Sequence, residues 1–327
     1  MPLKILLTHT PEPRRQYYGE KALSGLQKQG EVLLHEGADP LDAARLVEAA
    51  READIIVSDR LTAGPGEVFA KLPRLRAFVR CAVDIRNVDV AAASAAGVLV
   101  TRASPGFTQS VAELALAFMI DLSRGISRST ADYHAGKMPV VAMGRQLSGS
   151  SIGIIGYGSI GKYLARIAQP LGMTVYVTDP FVTVNDPNVH QVALEQLLAS
   201  SDYVVCLVVA NEATEKLMAA PQFALMQRHA VFINLSRGEL VDDAALAAAL
   251  RDNRIAGAAM DVGRARDQMP SPELASLPNV IATPHIGGLT PPAIEHQALE
   301  TVRQVASIVK GEPPPGAVNA ERWTRRP

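Results

Sequence analysis

The stretch from Ser151 to Asp179 constrains the fold more than any other part of this 327-residue chain. A short apolar run, Ser151–Ile155, leads directly into three glycines with Gly-x-Gly-x-x-Gly spacing, and the apolar helical segment Ile160–Leu171 follows. A second apolar run then ends in Asp179. A strand, a glycine loop, a helix, a second strand and a terminal acid in this order are typical of a βαβ unit that binds a dinucleotide.

Each glycine of this loop has its own physical task. Gly156 permits the tight turn, Gly158 lets a pyrophosphate approach the backbone, and Gly161 lets the helix pack closely on the strand. The helix N-terminus offers unpaired N–H groups and the positive end of its dipole to phosphate. Asp179 can accept hydrogen bonds from the adenosine ribose hydroxyls, whereas a 2′-phosphate there would meet like charge. The sequence therefore predicts NAD as the cofactor, in preference to NADP.

Composition and charge argue against several other classes of protein. Hydrophobic residues make up 48% of the chain and charged residues 20%, which is typical of a globular protein in water. The net charge of −1 gives no general attraction to nucleic acid or to an anionic membrane. Only Cys81 and Cys206 are present, so neither a disulfide framework nor a metal cluster is indicated. We expect a cytoplasmic protein that binds no nucleic acid, membrane or metal.

Short apolar runs alternate with helical stretches along the whole chain, which predicts two α/β domains, each with a parallel sheet flanked by helices. In the first set, strands are predicted at Ile5–Leu7, Val32–Leu34, Ile55–Val57, Ala77–Val79 and Val98–Val100. In the second set, they are predicted at Ile152–Ile155, Thr174–Val177, Val204–Val209, Val231–Asn234, Ala256–Met260 and Val280–Ala282.

Two long helices are expected to cross between these sets. One covers Phe107–Ile126, and the other begins at Thr290 and ends near Lys310. The first domain would then be discontinuous, with residues 1–101 and 290–327 binding the substrate and residues 102–289 binding NAD. The sequence leaves open whether the tail around Trp323 is loose or anchors on a partner subunit.

Polar residues that can do chemistry follow three strands of the second set. Arg237 follows Val231–Asn234 and can hold a carboxylate through two hydrogen bonds. Asp261 follows the next strand, and His285 follows the last one and can act as a general acid or base near neutral pH. Because open α/β sheets bind ligands at the carboxyl ends of their strands, these residues predict one site.

With these motifs, the chain resembles the D-2-hydroxyacid dehydrogenase family, which includes phosphoglycerate dehydrogenases and glyoxylate/hydroxypyruvate reductases. The segments that carry the resemblance are Gly156–Gly161, Asp179–Pro180, Asn234–Asp242, Gly257–Val262 and Leu277–Gly288. The resemblance implies a flavodoxin-like substrate domain and a Rossmann NAD-binding domain. It also implies a homodimer formed mainly through the cofactor domains, and hydride transfer between NAD and a 2-oxo acid.

The resemblance further implies roles for individual residues. Arg237 would bind the substrate carboxylate and polarise the carbonyl, His285 would transfer the proton, and Asp261 would bind the nicotinamide carboxamide. The remaining cofactor contacts that it implies are Thr108, Gly156, Tyr157, Gly158, Ser159, Ile160, Gly161, Asp179, Val209 and Thr214.

The chain departs from the family where a Glu normally orients the catalytic His and raises its pKa. Arg266 stands at that position, and a cation there would disfavour the imidazolium. Three alternatives remain open. In the first, the side chain of Asp267 replaces the Glu, so that a carboxylate still stabilises the imidazolium. In the second, Gln268 forms an uncharged hydrogen bond with the His. In the third, the pairing is lost and Arg266 binds part of the substrate.

The second departure is the substrate loop, where the family usually has a Gly-rich turn. Here Ala82, Val83 and Asp84 occupy it, and Asp84 would repel a carboxylate unless Arg86 or Arg80 pairs with it. We therefore expect a substrate with an extra anionic or hydrogen-bonding group, held by arginines such as Arg266. The alternative from another class is an NAD-binding regulatory or scaffold protein with weak or lost activity, since fold alone does not prove activity.

Overall fold

The computed structural model describes residues 3–327, which form two compact units. The first unit comprises the chain up to Phe107 together with Leu289–Pro327, and the second unit comprises Thr108–Gly288. From the sequence, the first boundary is expected after residue 101. The chain stays in the first unit for longer because the backbone N–H of Arg102 donates to Gly316, at 2.9 Å, and that of Ala103 donates to Ala82, at 3.0 Å.

Twelve strands are described in this part of the chain. In chain order they are β1 Lys4–Leu7, β2 Glu31–Leu34, β3 Ile55–Ser58, β4 Ala77–Arg80, β5 Leu99–Arg102, β6 Ser151–Ile155, β7 Thr174–Thr178, β8 Val189–Gln191, β9 Tyr203–Cys206, β10 Val231–Asn234, β11 Gly257–Met260 and β12 Val280–Ala282.

The α-helices follow the same order. They are α1 Pro11–Pro13, α2 Gly19–Gln27, α3 Ala43–Ala49, α4 Gly66–Lys71, α5 Val90–Ala95, α6 Thr108–Arg124, α7 Ile126–His134, α8 Ser159–Ala168, α9 Leu194–Ser200, α10 Ala220–Leu225, α11 Asp243–Arg251, α12 Pro272–Ala275 and α13 Pro291–Val309. Short 3₁₀ turns lie at Gln169–Leu171, Glu212–Thr214, Gly238–Leu240, Arg266–Gln268 and Ala320–Arg322, and a π-helical turn lies at Arg14–Tyr18.

The sheet of the first unit has the strand order β2-β1-β3-β4-β5, and every pair is parallel. This is the doubly wound flavodoxin-like order. Buried side chains alternate between the two faces, so that Ile5 and Leu7 pack on one side and Leu6 on the other. The central strands β3 and β4 are buried along their whole length, as expected for a sheet that helices cover on both faces.

The sheet of the second unit has the order β12-β11-β10-β9-β6-β7-β8, again all parallel. Counted from β6, this is the Rossmann order with one further strand. The order reverses between β6 and β9, and the glycine loop follows β6 at this switch point, where such sheets bind ligands. The prediction of two parallel-sheet α/β domains is confirmed.

Three elements differ from the sequence-based expectations. The strand predicted at Val204–Val209 ends at Cys206, because the chain turns outward there and leaves Val209 78% exposed. Strand β8 was not predicted, since it has only three residues and one of them is buried. Helix α7 was also missed, because none of its residues is buried and its sequence is mostly polar.

Within residues 3–327, no helix combines the length and the apolar character that crossing a membrane requires. Nor do the described residues bring together three or more His, Cys, Asp or Glu side chains that could hold a metal ion.

Candidate functional site

The three glycines between β6 and α8 meet different surroundings. Gly156 has a φ of +99°, which L side chains rarely adopt, and a Cβ there would lie 2.9 Å from Val208 Cγ1. A Cβ on Gly161 would lie 2.2 Å from the carbonyl oxygen of Gly156. At Gly158, by contrast, no described atom outside its chain neighbours lies within 4 Å of the Cβ position. Two glycines are therefore required by the fold, and the third opens space above the backbone.

The first turn of α8 faces this open space without a side-chain cap. Gly158 is the N-cap residue, so it offers no side chain to the N–H groups of the turn that begins at Ser159 and Ile160. Uncapped N–H groups and the helix dipole together make an anion site. The chain thus has room and donors for a phosphate where the sequence predicts a pyrophosphate.

Asp179 follows β7 and is tied to the same loop. Its Oδ2 accepts a hydrogen bond from the backbone N–H of Tyr157 at 2.8 Å, and its Oδ1 accepts one from Phe181 at 2.9 Å. A carboxylate can accept about four hydrogen bonds, so it retains capacity for ribose hydroxyls. The contact with Tyr157, by which Asp179 also fixes the glycine loop, was not expected from the sequence.

The segment after β9 lies beside the glycine loop in the sheet order. Thr214 Oγ1 donates to the carbonyl oxygen of Val209 at 2.9 Å, and Asn211 forms a capping box with Thr214. The side chain of Val209 is left exposed at the edge where the strands end. An exposed apolar side chain held on a fixed turn is suited to contact a flat ring.

Arg237 is presented by a turn that Asn234 organises. Asn234 is 1% exposed, its Nδ2 donates to the carbonyl of Arg237 at 2.9 Å, and its Oδ1 accepts from the backbone N–H of Ser236 at 3.1 Å. The guanidinium of Arg237, which is half-buried, donates to the carbonyl of Ser236 at 2.7 Å. A guanidinium has five N–H donors in a planar fork, a geometry that matches a carboxylate.

Asp261 is the structural centre of the site and is 2% exposed. Its Oδ1 accepts hydrogen bonds from Thr283 Oγ1 at 2.6 Å and from the backbone N–H of Ile286 at 2.8 Å. Its Oδ2 accepts from the backbone N–H of Gly287 at 2.7 Å. The carboxylate therefore holds the loop that carries His285, a function that sequence reasoning did not assign to it.

His285 has a φ of 57°, a conformation that costs free energy in a residue with a side chain. Its Nδ1 lies 3.1 Å from the backbone carbonyl oxygen of Asp267. Because a carbonyl oxygen only accepts, Nδ1 must carry the hydrogen, and Nε2 is then the ring nitrogen that can gain or lose a proton. Asp267 and Gln268 share the strain, each with a φ of 58°.

The segment after Asp261 contains the three residues considered as replacements for the missing Glu. None of the three alternatives included a main-chain carbonyl as the partner of His285 Nδ1, which is what the structure shows. The side chains of Asp267 and Arg266 are exposed, and Gln268 Oε1 is buried with no hydrogen-bond partner among residues 3–327. Arg264 donates to Glu215 Oε1 at 2.7 Å, so its charge is already paired within the second unit.

Two further glycines position these loops and were missed. A Cβ on Gly238 would lie 2.3 Å from the carbonyl carbon of Gly263, and one on Gly263 would lie 2.5 Å from Pro270 Cα. The turn after Arg237 and the segment leading to Asp267 therefore touch backbone to backbone. Nothing in the residues around these glycines distinguishes them from ordinary turn residues.

The substrate-loop residues belong to the first unit. Ala82, Val83 and Asp84 follow β4, at the edge of that sheet where its strands end. Asp84 Oδ2 pairs with Arg86 Nη2 at 2.9 Å, so its charge is compensated as the sequence requires. Arg80 is fully buried and donates to the carbonyl of Thr62 at 3.0 Å. Burial lowers the pKa of Arg80 to about 10, while the negative charges of Asp59 and Asp84 act in the opposite direction.

All other predicted site residues lie in the second unit. Arg237, Asp261 and His285 come directly after the neighbouring strands β10, β11 and β12, and their loops are linked by hydrogen bonds, because Asp261 N donates to the carbonyl of Asn234 at 3.2 Å. Thr108 is the first residue of α6. Rossmann sheets bind ligands at the edge where their strands end, and this chain has a guanidinium, a carboxylate and an imidazole at that edge.

Comparison with known proteins gives a consistent result. Residues 116–287 match the family model described as the NAD binding domain of D-isomer specific 2-hydroxyacid dehydrogenase. The chain is 30% identical to a glyoxylate reductase of Korarchaeum cryptofilum over 316 residues, which are 94% of this chain and 95% of that protein. These findings give no support to the alternative of a regulatory or scaffold protein.

A second relative and a solved structure extend the comparison. The chain is 31% identical to the D-3-phosphoglycerate dehydrogenase of Methanocaldococcus jannaschii over 305 residues, 92% of this chain but only 57% of that relative's length. The crystal structure of the TT0316 protein from Thermus thermophilus is 29% identical and superposes with a TM-score of 0.87. The alignment covers 97% of this chain and 100% of that one.

The glycine loop generates a paired prediction. Gly161→Ala should destabilise the fold by about 1–3 kcal/mol, because its Cβ would overlap the Gly156 carbonyl oxygen. Gly158→Ala should change the free energy of unfolding by less than about 1 kcal/mol relative to the parent protein, as is usual for a surface substitution. The same substitution should weaken NADH binding by about tenfold or more, because the methyl group enters the space expected to hold the pyrophosphate. Urea unfolding and fluorescence titration measure the two effects, and equal NADH affinity in Gly158→Ala and the parent would contradict the assignment.

Proposed function

Because this chain belongs to the D-isomer specific 2-hydroxyacid dehydrogenase family, we propose that it transfers a hydride between NAD(H) and a 2-oxo acid/2-hydroxy acid pair. The observation that carries the proposal is the strained loop of His285, which Asp261 holds beside the turn of Arg237. Backbone strain that is maintained by buried hydrogen bonds is found mostly at functional sites. A scaffold protein would need neither this strain nor the imidazole.

The cofactor contacts are proposed as follows. The open space at Gly158 and the first turn of α8 would take the pyrophosphate, and Asp179 would accept hydrogen bonds from the adenosine ribose. Val209 and Thr214 would line the nicotinamide side. Asp261 uses three of its roughly four acceptor positions on the His285 loop, which leaves one for the carboxamide N–H. When bound, NADH supplies the hydride.

Arg237 would bind the substrate carboxylate and direct one N–H toward the carbonyl oxygen. Its guanidinium already donates to the carbonyl of Ser236, so less side-chain conformational entropy is lost when it binds a substrate. As the carbonyl is reduced, negative charge develops on its oxygen, and a cation already in place stabilises this charge more than it stabilises the ground state.

His285 would supply the proton. In reduction Nε2–H donates to the developing alkoxide, and in oxidation neutral Nε2 takes the proton back from the hydroxyl. The carbonyl of Asp267 fixes the tautomer in both directions, because it accepts from Nδ1–H in the neutral and in the protonated ring. In this proposal a neutral main-chain acceptor performs the orienting task of the missing Glu, and the exposed carboxylate of Asp267 supports the imidazolium at longer range.

The substrate is proposed to carry a group beyond the 2-oxo acid. The substrate loop at Ala82, Val83 and Asp84 has side chains in place of glycines, and the Asp84–Arg86 pair leaves no excess negative charge to repel an anion. Arg266 is exposed in the second unit and would bind the additional anionic group. The two named relatives differ in this respect, because one is a glyoxylate reductase and the other a phosphoglycerate dehydrogenase, whose name implies a phosphorylated substrate.

A homodimer in the cytoplasm is proposed as the working form. Residues 137–146, here called the arm, contain neither helix nor strand, yet carry Met138, Val140, Val141 and Met143 with 82–100% exposure. The arm follows α7, which has no buried residue. Several large apolar side chains exposed along one short segment indicate a protein interface, and a second copy is the partner that the family resemblance implies.

The first prediction tests the reaction itself. The protein should oxidise NADH with at least one member of a panel that contains glyoxylate, pyruvate, hydroxypyruvate and phosphorylated 2-oxo acids. Arg237→Ala and His285→Ala should each lower kcat/KM by about 10²–10⁴, because each removes an interaction made in the transition state. Arg251→Ala on the exposed face of α11 is the matched control and should change little. NADH binding without turnover on any member would overturn the proposal.

The second prediction concerns pH. Reduction needs a protonated His285, so reductase activity should fall as the pH rises. Arg266→Glu replaces a nearby cation by a carboxylate that favours the imidazolium, and should move this fall to higher pH by about 1 unit. Arg251→Glu makes the same charge change at a distant position and should leave the profile in place.

The pH experiment also decides the part that Arg266 plays. If the pH dependence of reductase activity shifts in Arg266→Glu and turnover is retained on all substrates, Arg266 only occupies the position of the family Glu. Loss of turnover on phosphorylated substrates, with turnover on glyoxylate retained, means that Arg266 binds the extra anionic group. An unshifted profile with both substrates turned over would contradict both parts of the proposal.

The third prediction concerns the arm. Val141→Asp combined with Met143→Asp should convert the dimer to a monomer, because two charges would be buried without partners at the interface. Light scattering after size-exclusion chromatography measures the mass directly. Leu171→Asp, which charges an apolar residue 39% exposed outside the arm, is the control and should leave the mass unchanged. A parent protein of single-chain mass would refute the dimer.

A further inference from the structure

A basic depression of about 340 Å³ lies in the first unit, at the edge of its sheet where the strands begin. It is lined by Asp54, Pro73, Arg74, Arg76, Arg325 and Arg326. Asp54 precedes β3 and Arg76 precedes β4, whereas Arg325 and Arg326 come from the C-terminal tail. The substrate loop Ala82–Asp84 follows the other end of β4, so the depression is separate from the proposed dehydrogenase site.

The charges around the depression do not balance. Asp54 is 5% exposed, and its Oδ1 lies 3.7 Å from Arg74 Nη2 and 3.5 Å from Arg76 Nε. Its Oδ2 accepts from the backbone N–H of Lys4 at 3.0 Å. The lining of the depression thus carries one buried carboxylate and four guanidinium groups, in a chain whose net charge is only −1. The charge of Glu52 also acts on Arg74, but Glu52 pairs with Lys4. A positive potential concentrated in a concave surface attracts anions.

The two guanidinium groups from the tail are held in position before any ligand arrives. Arg325 Nη1 donates to the carbonyls of Leu72 at 2.7 Å and Leu75 at 3.0 Å. The guanidinium carbon of Arg326 lies 5.2 Å from the ring of Trp323, which is 3% exposed and anchors the tail. Preorganised side chains lose little entropy on binding, and this favours a ligand over water.

We propose that this depression is a binding site for a small polyanion that carries a phosphate group or several carboxylates. The planar fork of arginine matches the oxygen geometry of both groups. The volume lies at the lower end of the range for small-molecule sites, so a compact metabolite fits and a large nucleotide does not. A bound polyanion would bridge the tail to the segments that precede β3 and β4. The proposal does not depend on the dehydrogenase function.

The test is isothermal titration of the full chain with inorganic pyrophosphate and, separately, with citrate. Ionic strength is held constant, and saturating NADH keeps the probes off the glycine loop. We expect saturable binding of at least one probe. Arg74→Ala combined with Arg326→Ala should weaken it by about tenfold or more, because two charged donors are lost. Arg322→Ala removes an exposed arginine of the same tail that does not line the depression, and should change the affinity less than twofold.

Three results would overturn the proposal. Equal weakening by Arg322→Ala and by the double variant would mean general charge attraction. Loss of binding in Arg237→Ala, with binding retained in the double variant, would place the anion at the dehydrogenase site. Absence of saturable binding of either probe up to about 10 mM, a weak limit for a specific site, would mean that no site exists. A preference for pyrophosphate over citrate, or the reverse, identifies the anionic group that the site takes.

Discussion

The buried carboxylate of Asp261 is the interaction on which the rest of the site depends. It accepts three hydrogen bonds from Thr283, Ile286 and Gly287, while its own backbone N–H donates to Asn234. One residue therefore joins the end of β10 to the segment after β12. A buried carboxylate left without these donors would be costly, so the loop of His285 and the charge of Asp261 require each other.

That carboxylate also supports strain. His285, Asp267 and Gln268 all have positive φ, a conformation that costs each of them about 1–3 kcal/mol. The backbone bonds of Ile286 and Gly287 to Asp261, and the bond between Gly263 N–H and the Gln268 carbonyl at 2.7 Å, hold these conformations. The strain turns a main-chain carbonyl toward Nδ1 of His285. The main-chain carbonyl of Asp267 thereby helps to fix the orientation of the imidazole.

Much of the architecture followed from residue patterns. Buried strands such as Ile55–Ser58 and Val231–Asn234 are apolar along most of their length, and a parallel sheet covered on both faces requires this, so their positions were predictable. Helix α7 and strand β8 were not predicted, because α7 is mostly polar with no buried residue and β8 has only three residues. The residue pattern predicts that β9 ends at Val209, but the strand ends at Cys206, since Leu207–Val209 are as apolar as a strand and yet leave the sheet.

The sequence by itself determined the two sheets, the glycine loop and the set of chemical groups at the site, because burial and close backbone approach restrict which residue types can stand there. Only the tertiary structure decided what those groups do to one another. The partner of His285 is a carbonyl whose direction depends on local backbone dihedrals, and the task of Asp261 depends on N–H groups more than twenty residues away. Main-chain groups are the same in every residue, so no sequence pattern announces where they will point.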